Sequence, residues 1–193
     1  TVAAIHTEMV SDAVKTAANN YMLIDVSVSF WKGIGNFKEA AAKAAKAAGA
    51  EEEGTRLTKE LMGDQISHLD ASQKKHRKVR TELGKMSLPY APQEKGRHRR
   101  GKKMIGVGRI TPVVGKLNEL KEIADASAED FCANYEQFRD AALSKTFGSW
   151  RKEAASLFPT VEEMRLKFNV TIGNPEPIPA IDMKRFGSIP AEM

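Results

Sequence analysis

Residues 21–31 carry the pattern that most constrains the fold of this chain. From Ile24 to Phe30, four apolar residues alternate with three polar ones. This period of two is typical of a β-strand with one buried face. Gly33 and Gly35 follow closely and are expected to end the strand. The sequence therefore predicts a sheet that includes residues 22–31.

Helical spacing of apolar residues dominates the middle of the chain. An Ala-rich run after Asn36 and a stripe from about Thr55 to Leu83 predict two helices, and further stripes follow Pro112. Additional strands are expected near residues 104–110 and 168–173. We therefore predict an α+β fold, with a small antiparallel sheet packed against several helices in a single domain over residues 1–193.

Three residue pairs match the pattern of helix N-terminal caps, in which a short polar side chain precedes an acidic residue by three positions. They are Asn36 with Glu39, Ser127 with Asp130, and Thr160 with Glu163. We expect a helix to begin at each pair.

Composition limits the class of protein. The chain has 193 residues, 41% of them hydrophobic, which is enough for a buried core. No segment approaches the ~20 apolar residues that a membrane span needs. A single cysteine excludes an internal disulfide framework and favours a reducing environment. We expect a soluble, cytoplasmic protein.

Positive charge is concentrated in residues 74–103. This basic segment holds twelve Lys or Arg residues against two Glu, a net charge of +10, whereas the whole chain carries +5. The remaining residues are therefore mildly acidic. Such an asymmetry indicates an anionic partner such as nucleic acid.

The basic segment divides into two candidate nucleic-acid-binding parts. Four residues at helical spacing form a platform: Lys74, Lys75, Arg77 and Lys78. Six form an arm in a mobile basic loop expected at residues 91–103: Lys95, Arg97, Arg99, Arg100, Lys102 and Lys103. Tyr90 is the candidate for stacking on unpaired bases. A solvated helix face and an unstructured loop are the alternative interpretation. The Pro-rich residues 173–193 are expected to form an extended tail.

Motifs for catalysis or metal binding are incomplete. Residues 96–102 match the spacing of a phosphate-binding loop, but Lys103 stands where Ser or Thr should bind magnesium. Asp64 and His68 lack further metal ligands, and Cys132 has no neighbouring base. We therefore expect no catalytic residue, no metal site and no cofactor.

Short motifs spread over residues 26–190 resemble an uncharacterised family of bacteriophage and mobile-element proteins, one of the domains of unknown function. They are Val26–Trp31, Leu88–Tyr90, Gly108–Pro112, Phe131 with Tyr135, residues 158–161, Phe168–Ile172 and Pro177–Pro179. The resemblance implies a phage setting near genes for recombination and for AAA ATPases. It transfers no functional residue.

Together these features predict a non-enzymatic phage protein that binds nucleic acid. Single-stranded DNA is favoured over duplex, with a role in annealing during replication or recombination and assembly into a homo-oligomer. One alternative is an adaptor or structural subunit whose arm contacts an acidic protein partner, such as an AAA ATPase. Another is a virion or assembly component in which the Pro-rich tail docks on a neighbouring subunit.

Overall fold

A computed structural model describes residues 19–48, 57–89 and 102–178. The described part is a mixed α+β fold with small antiparallel sheets and helices, which confirms the predicted fold class. The chain divides into two compact units. Among the described residues, the first comprises 19–27, 80–89, 102–118 and 171–178, and the second comprises 28–48, 57–79 and 119–170.

The strands are short. They are β1 Tyr21–Ile24, β2 Val26–Ser29, β3 Ile34–Asn36, β4 Thr58–Glu60, β5 Leu88–Pro89, β6 Lys103–Gly106, β7 Asn169–Ile172 and β8 Glu176–Pro177. The helices are α1 Lys38–Ala47, α2 Ile66–Met86, α3 Ile110–Ala133, α4 Tyr135–Thr146, α5 Arg151–Leu157 and α6 Val161–Lys167.

The first unit is built on a four-stranded sheet in the order β5-β6-β1-β8. β1 pairs antiparallel with β6, so that Leu23 lies opposite Met104. The two outer strands contain Pro89 and Pro177. Proline removes a donor from the hydrogen-bond ladder and is therefore tolerated at a sheet edge.

The strand expected over residues 22–31 is divided at Asp25. β1 joins the four-stranded sheet, and β2 pairs with β7 in a separate two-stranded sheet. At the division, the backbone N–H of Gly173 donates to the Asp25 carbonyl at 2.9 Å. A Cβ atom at position 173 would collide with the Asp25 carboxylate, so glycine allows this close approach.

The second unit encloses an aromatic core. The Trp31 ring packs at 6.1 Å from Tyr135 and at 6.0 Å from Phe158, measured between ring centroids. Phe37 is fully buried and stacks at 5.8 Å on Phe147. Trp31 is 9% exposed and belongs to this core, whereas Trp150 is 37% exposed.

Two of the three expected helix starts are wrong. Helix α1 has Phe37 at its N-cap with no side-chain hydrogen bond, so Asn36 and Glu39 form no capping box. Ser127 lies inside α3, because the apolar stripe continues through Ala128. The capping box at Thr160 and Glu163 is confirmed, with both reciprocal hydrogen bonds present.

Most of the expected basic loop lies outside the described residues. Of residues 91–103, the structure describes Lys102 and Lys103, and Lys103 already belongs to β6, where it lies opposite Pro89. Of the expected Pro-rich tail, residues 173–178 are described, and Glu176–Pro177 add a strand beside β1. The single-domain organisation stays a prediction.

Candidate nucleic-acid interface

Helix α2 has one buried side, made of apolar and uncharged polar residues, and an opposite side that is exposed and basic. Its buried positions recur at intervals of three and four residues, which is one side of an α-helix. They are Leu69, Ser72, Gln73, His76, Val79 and Leu83. The four platform residues are exposed and occupy the opposite side. Lys74, Lys75, Arg77 and Lys78 are called the basic face below.

Three lysines of the basic face have free ammonium groups with respect to the described residues. Lys74, Lys75 and Lys78 make no hydrogen bond or ion pair there, in contrast to Lys85, which pairs with Glu82 at 2.7 Å. No acidic residue stands between positions 71 and 81. The positive charge of this face is therefore not neutralised by acidic residues on the same stretch of helix.

Arg77, the fourth member, is held in place by its neighbours. Its Nη2 donates to Oε1 of Gln73, and its guanidinium lies over the Phe30 ring at 4.9 Å from the centroid. The Nε2 of Gln73 in turn donates to the Trp31 carbonyl at 2.8 Å. These contacts orient Arg77 at one edge of the basic face before any ligand binds.

A row of aromatic rings runs from the core of the second unit to the surface of α2. Phe131 packs at 5.7 Å from Phe168 and also at 5.7 Å from Phe138. Phe138 stacks on His68, with centroids 4.3 Å apart and ring planes 14° apart. His68 is exposed, whereas Phe138 is half-buried. His68 is thus the outer end of this aromatic row.

The arm is described only at its last two residues. Lys102 is exposed and forms an ion pair with Glu176 within the first unit. Lys103 is half-buried in β6. The other arm residues, Lys95, Arg97, Arg99 and Arg100, lie outside the described residues, as does Tyr90.

Cys132 lies in an environment that disfavours a reactive thiolate. It is 3% exposed, and burial, followed by the nearby Glu129 carboxylate, raises the pKa of its thiol. Arg165 opposes this shift and pairs with Glu129 at 3.3 Å. Because the thiolate is the nucleophilic form, a raised pKa weakens any nucleophilic role.

The described ranges contain neither a metal-binding cluster nor a membrane-spanning helix. In residues 19–48, 57–89 and 102–178, no group of three His, Cys, Asp or Glu side chains is placed to hold a metal ion. No helix in these ranges is both long enough and apolar enough to span a membrane.

An open groove of about 420 Å³ lies elsewhere in the second unit. Its lining combines apolar and polar side chains: Trp31, Leu157, Phe158, Pro159 and Leu166 with Ser156, Glu163 and Lys167. Leu166 is 82% exposed, the highest value among the large hydrophobic residues of the described chain. The groove is therefore a solvent-accessible surface of mixed apolar and polar character.

Sequence reasoning located the basic face but missed its aromatic neighbours. The helical spacing of Lys74 and Lys78 was sufficient to place them together on one side of α2. The sequence shows His68 only beside Asp64, as an incomplete set of metal ligands, because Phe138 lies 70 positions away. The available signal in the sequence was the spacing of His68 and Lys75, which lie seven residues apart and therefore on the same side of the helix.

Comparison of the chain with protein-family models, with curated proteins and with solved structures gave no match. The resemblance to the phage family therefore stays a prediction from short motifs.

Proposed function

We propose that this chain is a non-enzymatic protein that binds nucleic acid through the basic face of α2, with single-stranded DNA as the preferred ligand. The observation that carries the proposal is the exposure of Lys74, Lys75 and Lys78 on the side of the helix opposite its buried stripe. Phosphate groups are the natural partners of such clustered cations. Arg77, which is already oriented by Gln73 and Phe30, adds a planar hydrogen-bond donor for phosphate at one edge of the basic face.

The proposed mechanism is electrostatic coating of a strand. Each lysine neutralises a phosphate and releases a condensed counterion, which provides affinity without sequence preference. Contacts through phosphates leave the pairing edges of the bases accessible, as annealing requires. Assembly into a homo-oligomer would add many weak contacts along one strand. The phage or mobile-element setting and the location in the bacterial cytoplasm belong to this proposal through the family resemblance.

The test compares two triple variants with the same change in net charge. One is Lys74→Gln, Lys75→Gln, Lys78→Gln. The matched control is Lys43→Gln, Lys46→Gln, Lys152→Gln, which removes three exposed lysines of α1 and α5. Fluorescence anisotropy with labelled single- and double-stranded oligonucleotides, each across a salt series, measures the affinity. Circular dichroism checks that both variants fold.

We expect the basic-face variant to bind more weakly than the control, whatever the DNA sequence. Each phosphate contact on a single strand contributes about 0.7 to the slope of log K against log salt, so three lost contacts flatten the slope by about 2. Equal affinities and slopes in the two variants would exclude the basic face as the binding site. Absence of binding by the unmodified protein at low salt would exclude the function itself.

The arm is tested separately, because four of its six residues lie outside the described residues. Neutralising Lys95, Arg97, Arg99, Arg100, Lys102 and Lys103 together should weaken binding to all sequences alike and flatten the salt dependence. Unchanged binding would restrict the site to the basic face of α2.

A second candidate function, an adaptor or structural subunit, is favoured by the open groove with exposed Leu166 in its lining. Exposed Leu166 beside the rings of Trp31 and Phe158 offers a surface for an apolar segment of a protein partner. Leu166→Asp should then abolish a stoichiometric complex without changing the affinity for DNA. Retention of the complex by this variant would remove the groove from consideration.

A further inference from the structure

The basic face is bordered by aromatic rings at both edges of α2. Arg77 lies over Phe30 at one edge, and His68 stacks on Phe138 at the other. His68 precedes Lys75 by seven residues, almost two full turns, so both project from the same side of the helix. An aromatic ring therefore lies beside the basic face at each of its two edges.

We infer that the outer face of the His68 ring is a base-stacking site for single-stranded nucleic acid. The inference deepens the proposed function and rests on it. In the near-parallel stack at 4.3 Å, Phe138 covers one face of the imidazole. Since the His68 side chain is nevertheless exposed, its accessible surface belongs to the ring edge and the opposite face. That face is available to the π-surface of a base.

The aromatic row gives this site rigidity. Phe138 is fixed by Phe131, which is 3% exposed and packs in turn on Phe168. A ring that is already ordered loses little conformational entropy when a base stacks on it. His68 therefore differs from an isolated surface histidine.

The spacing along the helix fits a short stretch of nucleic acid. Seven residues at 1.5 Å per residue place His68 about 10 Å from Lys75 along the helix axis. Stacked nucleotides rise about 3.4 Å each, so the two residues are about three nucleotides apart. One strand can then place a phosphate at Lys75 and a base at His68.

This arrangement selects single strands for a physical reason. The faces of bases inside a duplex are covered by neighbouring pairs, and exposing one costs unstacking energy. An unpaired strand presents its bases at little cost. The lysines of the basic face contact phosphates of both single-stranded and duplex nucleic acid, whereas His68 adds affinity for the single strand alone.

The test measures binding of His68→Ala and His68→Tyr to three labelled probes. The probes are a single-stranded oligonucleotide, the same strand with consecutive abasic sites, and the duplex. We expect His68→Ala to lose at least about fivefold affinity for the intact single strand, and His68→Tyr to restore it. Affinity for the abasic strand and for the duplex should stay within about twofold of the unmodified protein.

The outcomes separate the inference from the proposed function. If the unmodified protein binds and His68→Ala binds the intact single strand equally well, the stacking site is wrong while the basic face stands. If His68→Ala weakens all three probes alike, the residue acts through the fold or through charge, and the stacking site is again wrong. If the unmodified protein binds none of the probes, the function and the site fail together.

A further variant, His68→Leu, controls for a loss of structure caused by removing the side chain that covers Phe138. His68→Leu keeps an apolar cover on Phe138 but has no flat π-face. It should fold like the unmodified protein and still show the single-strand defect of His68→Ala. Full single-strand affinity in a folded His68→Leu would overturn the inference.

Discussion

The Glu153 carboxylate accepts a hydrogen bond from the backbone N–H of Glu39 at 2.9 Å, across 114 positions of sequence. Its second oxygen accepts from the N–H of Ala40 at 3.2 Å. The first N–H groups of a helix have no partner within the helix, and negative charge is favoured at that end. A side chain from α5 thus performs the capping role at the start of α1.

Removing this carboxylate should destabilise the second unit. Glu153→Ala leaves two N–H groups of α1 without their acceptor, at a cost of about 1–2 kcal/mol in the free energy of unfolding. Glu153→Gln keeps one oxygen acceptor and should lose less. Urea unfolding followed by circular dichroism measures both values. Equal stability of Glu153→Ala and the unmodified protein would contradict a capping role.

A side chain at position 33 should also be poorly tolerated. Gly33 has a φ of 71°, and a Cβ there would lie 2.6 Å from Cδ2 of the buried Leu69. The left-handed conformation costs a non-glycine residue about 1–2 kcal/mol, and overpacking adds about 1–3 kcal/mol.

The matched control for Gly33→Ala is Gly115→Ala. Gly115 is exposed within α3, and a Cβ added there would meet no atom within 4 Å apart from its chain neighbours and the local helix backbone. Alanine there should stabilise the helix by about 0.5–1 kcal/mol. Thermal and urea unfolding should therefore shift in opposite directions for the two variants; a shift in the same direction would contradict the argument.

The free energy of unfolding should decrease at high pH because of the buried phenol of Tyr135. Burial is the main cause that raises the pKa of its phenol, and its hydroxyl donates to the Pro159 carbonyl at 2.9 Å. Because the folded pKa exceeds the unfolded value of about 10, this group's contribution is complete below about pH 10 and is lost as the pH rises further.

Tyr135→Phe provides the comparison for that pH dependence. The variant loses the hydrogen bond, so it should be less stable by about 1 kcal/mol at neutral pH. Above about pH 10 the difference between the two proteins should shrink, because the tyrosine becomes charged on unfolding and phenylalanine does not. Urea unfolding at about pH 8 and about pH 11 measures the two differences; a constant difference would count against the burial of an un-ionised phenol.

The thiol of Cys132 should react slowly in the folded protein. It is 3% exposed, and burial raises its pKa, so both access and thiolate formation are disfavoured. Cys132 is the single cysteine of the chain, which makes the readout specific. A chromogenic disulfide reagent at about pH 8 should modify the unfolded protein rapidly and the native protein at least about tenfold more slowly. Equal rates would show that the thiol is accessible.

Local sequence patterns predicted much of the second half of α2. Leu69, His76 and Val79 are separated by seven and then three residues, which places them on one buried side of the helix, and Lys74 and Lys78 then had to project outward. The capping box at Thr160 and Glu163 was equally predictable, since both hydrogen bonds join residues three apart. The start of α2 was not predictable in this way. A helix was expected from about Thr55, but residues 58–60 pair with β3 instead of extending the helix.

What the sequence by itself determined is therefore what depends on near neighbours: the α+β class, the helical stripes, the exposed basic face and the capping box at Thr160. Only the tertiary structure decided which distant groups meet. Asp25 divided a uniform alternating pattern because Gly173 reaches its carbonyl, Glu153 replaced Asn36 at the start of α1, and Phe138 met His68. These contacts depend on chain packing, and no periodicity of three, four or two residues encodes a partner 70 or more positions away.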